Sequence, residues 1–196
     1  MRILAAVLSY LLGSVPTGYL LVRLSSRRDV RELGSGSTGA TNVLRVKGWK
    51  TALPVAVFDI LKGILPAFLA LKWFDDPAFA AACGFLAVVG HCFPFSIGFR
   101  GGKGMATSFG AFLGIAWAPS LLCLGLFVLV ISLTRYVSLG SILAVLAFPA
   151  AYLAAGGTWP AAAVALAVAA LVIARHAPNI GRLLKGTERK LGDKAT

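Results

Sequence analysis

Hydrophobic positions fall in long, nearly uninterrupted runs, and polar positions gather in short stretches between them. A helix crosses the hydrocarbon core of a bilayer with about 20 apolar residues at about 1.5 Å each, and the runs have that length. Ile3 to Val22 is the first, Thr51 to Leu71 the second and Ala78 to Phe95 the third; Leu139 to Ala155 and Pro160 to Ala174 come last. The first run has a signal peptide's place in the chain. It is long, however, has only Arg2 ahead of it and lacks an A-x-A site, so it reads as an anchor. Met105 to Leu133 is ambiguous: its 29 residues are too many for one span and few for two, and Trp117-Ala118-Pro119 marks a turn near its middle.

Charge decides between one span and two. With seven spans and the N-terminus outside, sixteen of the 19 basic residues lie in inside loops or in the tail that runs from Arg175 to Lys194. Only Arg2 and Lys72 are outside, and Lys62 lies within a span. Merging Met105 to Leu133 into one span leaves nine inside and nine outside, which abolishes the positive-inside bias of membrane proteins. The pattern therefore predicts an all-α, polytopic membrane protein with seven transmembrane helices and a cytoplasmic C-terminus, residues 1–196 forming one integral-membrane domain. Gly110 and Gly114, four apart, are expected to let helices pack closely, and Trp73, Trp117 and Trp159 fall at predicted outer turns, where interfacial Trp is common.

Composition agrees. The chain is 58% hydrophobic and 13% charged, with mean hydropathy +0.85, too apolar to cover a soluble surface. The net charge of +12 is explained by inside loops facing anionic lipids, and no nucleic-acid partner is expected. Three cysteines without CxxC spacing give no disulfide framework or zinc site. No metal site is expected, since the seven acidic residues are scattered.

The informative residues sit in the inside loops. Gly34-Ser35-Gly36-Ser37-Thr38-Gly39-Ala40-Thr41-Asn42 matches G-x-G-x-x-G, but no strand precedes it, so the dinucleotide reading fails. Its glycines, N–H groups and hydroxyls still suit an anion, and Arg45 adds a bidentate phosphate partner. A flexible Gly/Ser connector is the bland alternative. The second loop runs from His91 through Arg100-Gly101-Gly102-Lys103-Gly104. It is not a P-loop; snorkelling to headgroups explains its charges but not its glycines. His91, ending an apolar run, suits packing better than catalysis. In the tail, a lipid anchor explains the basic residues but leaves His176, Asn179 and Glu188 unexplained. Asp59 and Lys62, three apart inside the second span, read as a buried ion pair supporting the site. No Ser-His-Asp set is recognisable, and the His-x4-Asp pattern of many glycerolipid acyltransferases is absent: Ser96 and Gly181 stand where the Asp is required.

Taken together, Gly34 to Arg45, His91 to Thr107 and His176 to Glu188, with Val57 to Gly63 between them, resemble the bacterial acyl-phosphate:glycerol-3-phosphate acyltransferase family over nearly the whole chain. The sequence departs from the family at Ser37-Thr38, usually Asn and an aliphatic residue, and at Pro178, usually polar. The resemblance implies transfer of a fatty acyl group from acyl phosphate to the 1-hydroxyl of sn-glycerol 3-phosphate, giving lysophosphatidic acid and phosphate. This is the first acylation of phospholipid synthesis, at the cytoplasmic face of the bacterial inner membrane. It implies no cofactor, and a soluble upstream enzyme that makes the acyl phosphate. Ser35, His176, Asn179 and Glu188 are the expected catalytic residues. Ser35, Gly36, Ser37, Thr41, Asn42, Arg45, Gly101, Gly102, Lys103, Gly104 and Asn179 are expected to bind substrate or phosphate, and Asp59, Lys62 and His91 to support them. Acyl phosphate is already activated, so direct attack without an acyl-enzyme is expected. The proton goes either to His176, oriented by Asn179, with Glu188 fixing its tautomer or a neighbouring cation, or to the acyl phosphate's own oxygen. A phosphate-ester transporter is the alternative, but it would place its basic groups at the bilayer midplane, between repeats; a lipid-binding scaffold would need the tail charges without the Gly-rich loops.

Overall fold

The computed structural model describes residues 1–193; Lys194, one of the tail charges above, lies outside the described residues. Regular structure among the described residues is helical throughout. The order is α1 (Arg2–Gly13), α2 (Thr17–Ser26), α3 (Ala40–Lys47), α4 (Trp49–Phe74), α5 (Pro77–Cys92), α6 (Met105–Ile115), α7 (Trp117–Thr134), α8 (Val137–Ala154), α9 (Trp159–Arg175) and α10 (Ala177–Leu184), with 3-10 turns at Val30–Glu32 and Phe95–Ile97. Five helical stretches are long and apolar enough to cross a membrane, or six if α9 and α10, bent by 61°, count as one. The ambiguous run divides as its length suggests, with Ala116 extended between α6 and α7.

The first run stays one candidate span, Arg2–Ser26, but its helix is interrupted. It is broken at Ser14–Pro16 into α1 and α2, because Pro16 lacks an N–H and disfavours a helical Val15 before it. The Val15 carbonyl accepts a hydrogen bond from Lys62 Nζ on α4 at 2.9 Å, and Thr17 Oγ1, in the first turn of α2, donates to Asp59 at 2.5 Å. The break is where a buried polar cluster attaches.

The helices leave two unlike ends. At one, Arg2 pairs with Asp76 at 3.0 Å and lies over the Phe74 and Phe79 rings. Trp73, Trp117 and Trp159, at the ends of α4, α7 and α9 that face this way, are largely exposed. At the other end the three polar segments meet. Arg31 Nη1 donates to the Ile97 carbonyl at 2.7 Å, joining the first loop to the second. Arg175 donates to the Gly101 and Gly102 carbonyls, joining the second to the tail. Leu191 N donates to the Arg135 carbonyl at 2.7 Å, folding the tail back over the α7–α8 turn. Small residues set the helix spacing: a Cβ at Gly63 would lie against the Thr107 carbonyl and one at Gly110 against that of Ile60, so α4 and α6 touch backbone to backbone.

Candidate active site

A cavity of about 420 Å³ opens at the polar end and runs inward between the helices. Its mouth holds Ser35, Ser37, Thr41, Arg45, Lys103, Asn179 and Glu188; its interior is apolar, with Phe109, Leu124, Phe127, Val145 and Phe148.

The first loop is shaped from inside by Asn42. Its amide donates to the carbonyls of Val30, Leu33 and Ser37 at 2.9–3.3 Å, and its oxygen accepts from Ser35 N at 2.8 Å. Asn42 lines the cavity, yet its hydrogen-bonding capacity is already committed to holding Ser35 and Ser37 at the mouth. Gly36 turns the chain at φ +72° behind them and does not line the cavity.

The second loop sets two of the expected glycines back from the cavity lining. Gly101 and Gly102 do not face the cavity. Their N–H groups donate to the Cys92 and His91 carbonyls at 3.1 Å, and a Cβ on Gly102 would strike the His91 ring. These glycines are needed because the loop packs on the end of α5. That packing sends Lys103 across the mouth, where Nζ donates to Asn179 Oδ1 at 2.5 Å. Gly104, at φ +86°, begins α6 and lines the wall.

The tail completes the mouth. α9 ends at Arg175, and His176 follows it at the bend into α10, where Pro178 sits in the first turn. His176 Nδ1 lies 2.8 Å from the Val172 carbonyl, so Nδ1 carries the proton and Nε2 is left as an acceptor. The carbonyl, and not Glu188, therefore sets the tautomer. Glu188 accepts from Asn179 Nδ2 (2.6 Å), Ser138 Oγ (2.8 Å) and Arg182 Nε (2.7 Å); of the two roles expected for it, the geometry is that of holding a cation. Asn179 thus bridges Lys103 to Glu188. Ser138 and Arg182 had no sequence signal beyond a serine opening an apolar run and one more basic residue in a basic tail.

Asp59, Lys62 and His91 form a separate buried cluster. Asp59 Oδ1 lies 2.8 Å from Lys62 Nζ and 3.5 Å from His91 Nδ1. Asp59 and His91 touch the cavity wall; Lys62 does not.

The charges of the mouth are unbalanced. Arg45 makes no ion pair among the described residues, and Lys103 is held by a neutral amide. Burial pushes the Lys103 ammonium down to about 8, against the opposing pull of Glu188. Burial also lowers Arg45 from its ordinary value. Burial works to raise the Glu188 carboxyl, but hydrogen bonds from Asn179, Ser138 and Arg182 outweigh it and hold the group ionised. Burial takes His176 down to about 4, so the ring is neutral near pH 7. Among the described residues no cluster of His, Cys, Asp and Glu could hold a metal ion. One carboxylate among Lys103, Arg45 and Arg182 leaves surplus positive charge beside an apolar channel, an arrangement suited to a phosphorylated head with a hydrocarbon tail.

The chain matches a family model described as Glycerol-3-phosphate acyltransferase over residues 3–186. It is 46% identical over 192 residues to a glycerol-3-phosphate acyltransferase of Synechococcus sp. (strain CC9902), covering 98% of this chain and 96% of that one. A relative of the same description from Brucella anthropi is 44% identical over 191 residues, covering 97% and 93%. In structure it is similar to PlsY (YgiH), an integral membrane glycerol 3-phosphate acyltransferase. The glycerol 3-phosphate form superposes with TM-score 0.94 at 36% identity, covering 97% of this chain and 96% of that one. The lysphosphatidic acid form gives TM-score 0.90 at 35% identity, covering 97% and 95%.

Proposed function

The chain belongs to the glycerol-3-phosphate acyltransferase family, and from that premise we propose that it takes its acyl group from acyl phosphate. The products are lysophosphatidic acid and inorganic phosphate, and the reaction is the first acylation of phospholipid synthesis. The observation that carries the reading is the cavity itself: Arg45 and Lys103 beside the Glu188 carboxylate at its mouth, and mostly apolar walls within. Arg45 and Lys103 hold the dianionic phosphate of glycerol 3-phosphate. Ser35, Ser37 and Thr41 add hydroxyls, and Asn179 keeps Lys103 aimed. The acyl chain lies in the apolar interior, which agrees with a relative that has been crystallised in a lysphosphatidic acid form. A transporter reading is less well supported, because the cations stand at one end of the helices and not at mid-depth.

The glycerol hydroxyl attacks the acyl carbonyl directly; the new C–O bond forms as the bond to the departing phosphate breaks. The surplus positive charge stabilises charge on the carbonyl oxygen and the leaving phosphate and offsets repulsion between the two anionic substrates. His176 Nε2 accepts a hydrogen bond from the hydroxyl and orients it. Burial lowers the His176 pKa to about 4, which weakens the ring as a base, and the departing phosphate gains basicity as its bond to the acyl carbon breaks, so in this scheme the proton leaves on the acyl phosphate's own oxygen. No cofactor takes part.

One membrane domain houses the site, with seven spans, the N-terminus outside and the cavity mouth on the cytoplasmic face of the inner membrane, where a soluble enzyme supplies acyl phosphate. The clustering of basic segments at one end supports that orientation. Incubating the purified protein with acyl phosphate and glycerol 3-phosphate should release one phosphate per lysophosphatidic acid formed. Product from an acyl thioester but not from acyl phosphate would overturn the donor, and a trapped acyl-enzyme the direct transfer.

A further inference from the structure

Two stacked rings form part of the wall of the cavity's apolar interior. Phe112 on α6 and Phe148 on α8 lie parallel, with centroids 3.7 Å apart and planes 2° from each other. Both are buried, at 6% and 2% exposure. Each ring also forms part of a second void on its far side, of about 10 Å³, walled by Phe85, Ile115, Tyr152, Ala161, Ala165 and Val168. That void has room for about one water-sized sphere and is too small for a chain to extend into. Tyr152 backs Phe148 with centroids 5.9 Å apart and planes 20° from parallel, so the Phe148 ring stands packed between two others.

We propose that the Phe112–Phe148 stack is the floor of the acyl-binding channel and sets the longest chain that the site takes whole. The proposal rests on the acyl-transfer reading above. Each methylene buried above the floor gains about 0.8 kcal/mol, or about fourfold in affinity. A methylene beyond it finds no space, and forcing it in would displace packed rings, which is itself destabilising. Chain-length preference then follows from the depth between the Lys103 mouth and the two rings. The far void matters because removing one ring would join it to the channel and deepen the site.

The test is a profile of kcat/KM against acyl phosphates of increasing even chain length. Four proteins are compared: wild type, Phe148→Ala, Ala144→Leu and Phe85→Ala. Wild type should gain up to about fourfold per methylene to an optimum and then fall. Phe148→Ala should move the optimum to chains longer by about two carbons or more, since the lost ring opens the void. Ala144 lines the channel one turn before Phe148, and Ala144→Leu should move the optimum the opposite way. Phe85 borders only the void, so Phe85→Ala, which also loosens this core, should keep the wild-type optimum. The KM for glycerol 3-phosphate should change by less than about twofold in all three variants, because the mouth is untouched. If Phe148→Ala does not fold, Ala144→Leu decides alone. An unchanged optimum in active Ala144→Leu, or one shifted as far by Phe85→Ala as by Phe148→Ala, overturns the floor while leaving the acyltransfer reading intact. Wild type inactive with acyl phosphate of every length overturns that reading and the floor with it.

Discussion

Two clusters of charged side chains are buried in this protein, and they are built on opposite plans. Around Asp59, one carboxylate oxygen collects Thr17, Lys62 and His91, and Lys62 is completed by the Val15 carbonyl. Its charges close on one another. Around Glu188, Asn179, Ser138 and Arg182 satisfy the one carboxylate, while Lys103 rests on an amide oxygen and Arg45 makes no ion pair among the described residues. A closed cluster holds helices together; one left with surplus cations has room for an anion, and in the function proposed above a phosphorylated substrate supplies it. Burial alone does not separate the two, since Asp59 and Glu188 are both buried; the balance of charge does.

The sharpest way to break that contrast is to open the closed cluster. Lys62→Met leaves Asp59 buried beside only His91 and Thr17, and unfolding should become easier by about 3–5 kcal/mol. Protein that remains folded should keep a near wild-type KM for glycerol 3-phosphate. An unchanged melting temperature would show that this cluster is not structural. Lys103→Ala should behave in the reverse sense, with stability near wild type. Its KM for glycerol 3-phosphate should rise by about 10- to 150-fold, the loss of one charge-assisted hydrogen bond of about 1.5–3 kcal/mol. Because burial lowers the Lys103 pKa to about 8, its charge is present below that pH and is lost as pH rises through it. Wild-type kcat/KM should therefore fall above about pH 8, and Lys103→Arg should hold its activity to higher pH. Unchanged kinetics in Lys103→Ala would make Lys103 a lipid anchor. The smallest effect is expected at His176. As an orienting acceptor it contributes about 0.5–1.5 kcal/mol, so His176→Ala should lose about 2- to 12-fold in kcat/KM with the pH profile of kcat kept. A loss of about 10²–10⁴ in kcat, with a titration removed, would make it the general base.

Much of this was legible in the sequence. Apolar run lengths and the distribution of Arg and Lys gave the helical membrane fold and the division near Ala116. The i,i+3 spacing of Asp59 and Lys62 gave their pairing, because both signals are local in the chain. Other features were not legible. The first run counts as one span, as its hydropathy indicates, but hydropathy does not report the interruption of its helix at Ser14–Pro16. Gly101 and Gly102 read as a cradle for an anion, and nothing local shows that they also pack against His91 and the end of α5. Asn42 looked like a ligand residue and is tied into its own loop. Ser138 gave no sign of its bond to Glu188.

The sequence by itself determined what depends on local composition and spacing: helices, their apolar length, which segments carry charge and which polar motifs occur in what order. Only the tertiary structure decided which members of those motifs face the cavity, because the deciding contacts join distant positions. Lys103 meets Asn179 across 76 residues and Ser138 meets Glu188 across 50. Such pairs follow from how backbones pack at Gly63 and Gly110 and how the chain bends at His176, and no local pattern carries that geometry.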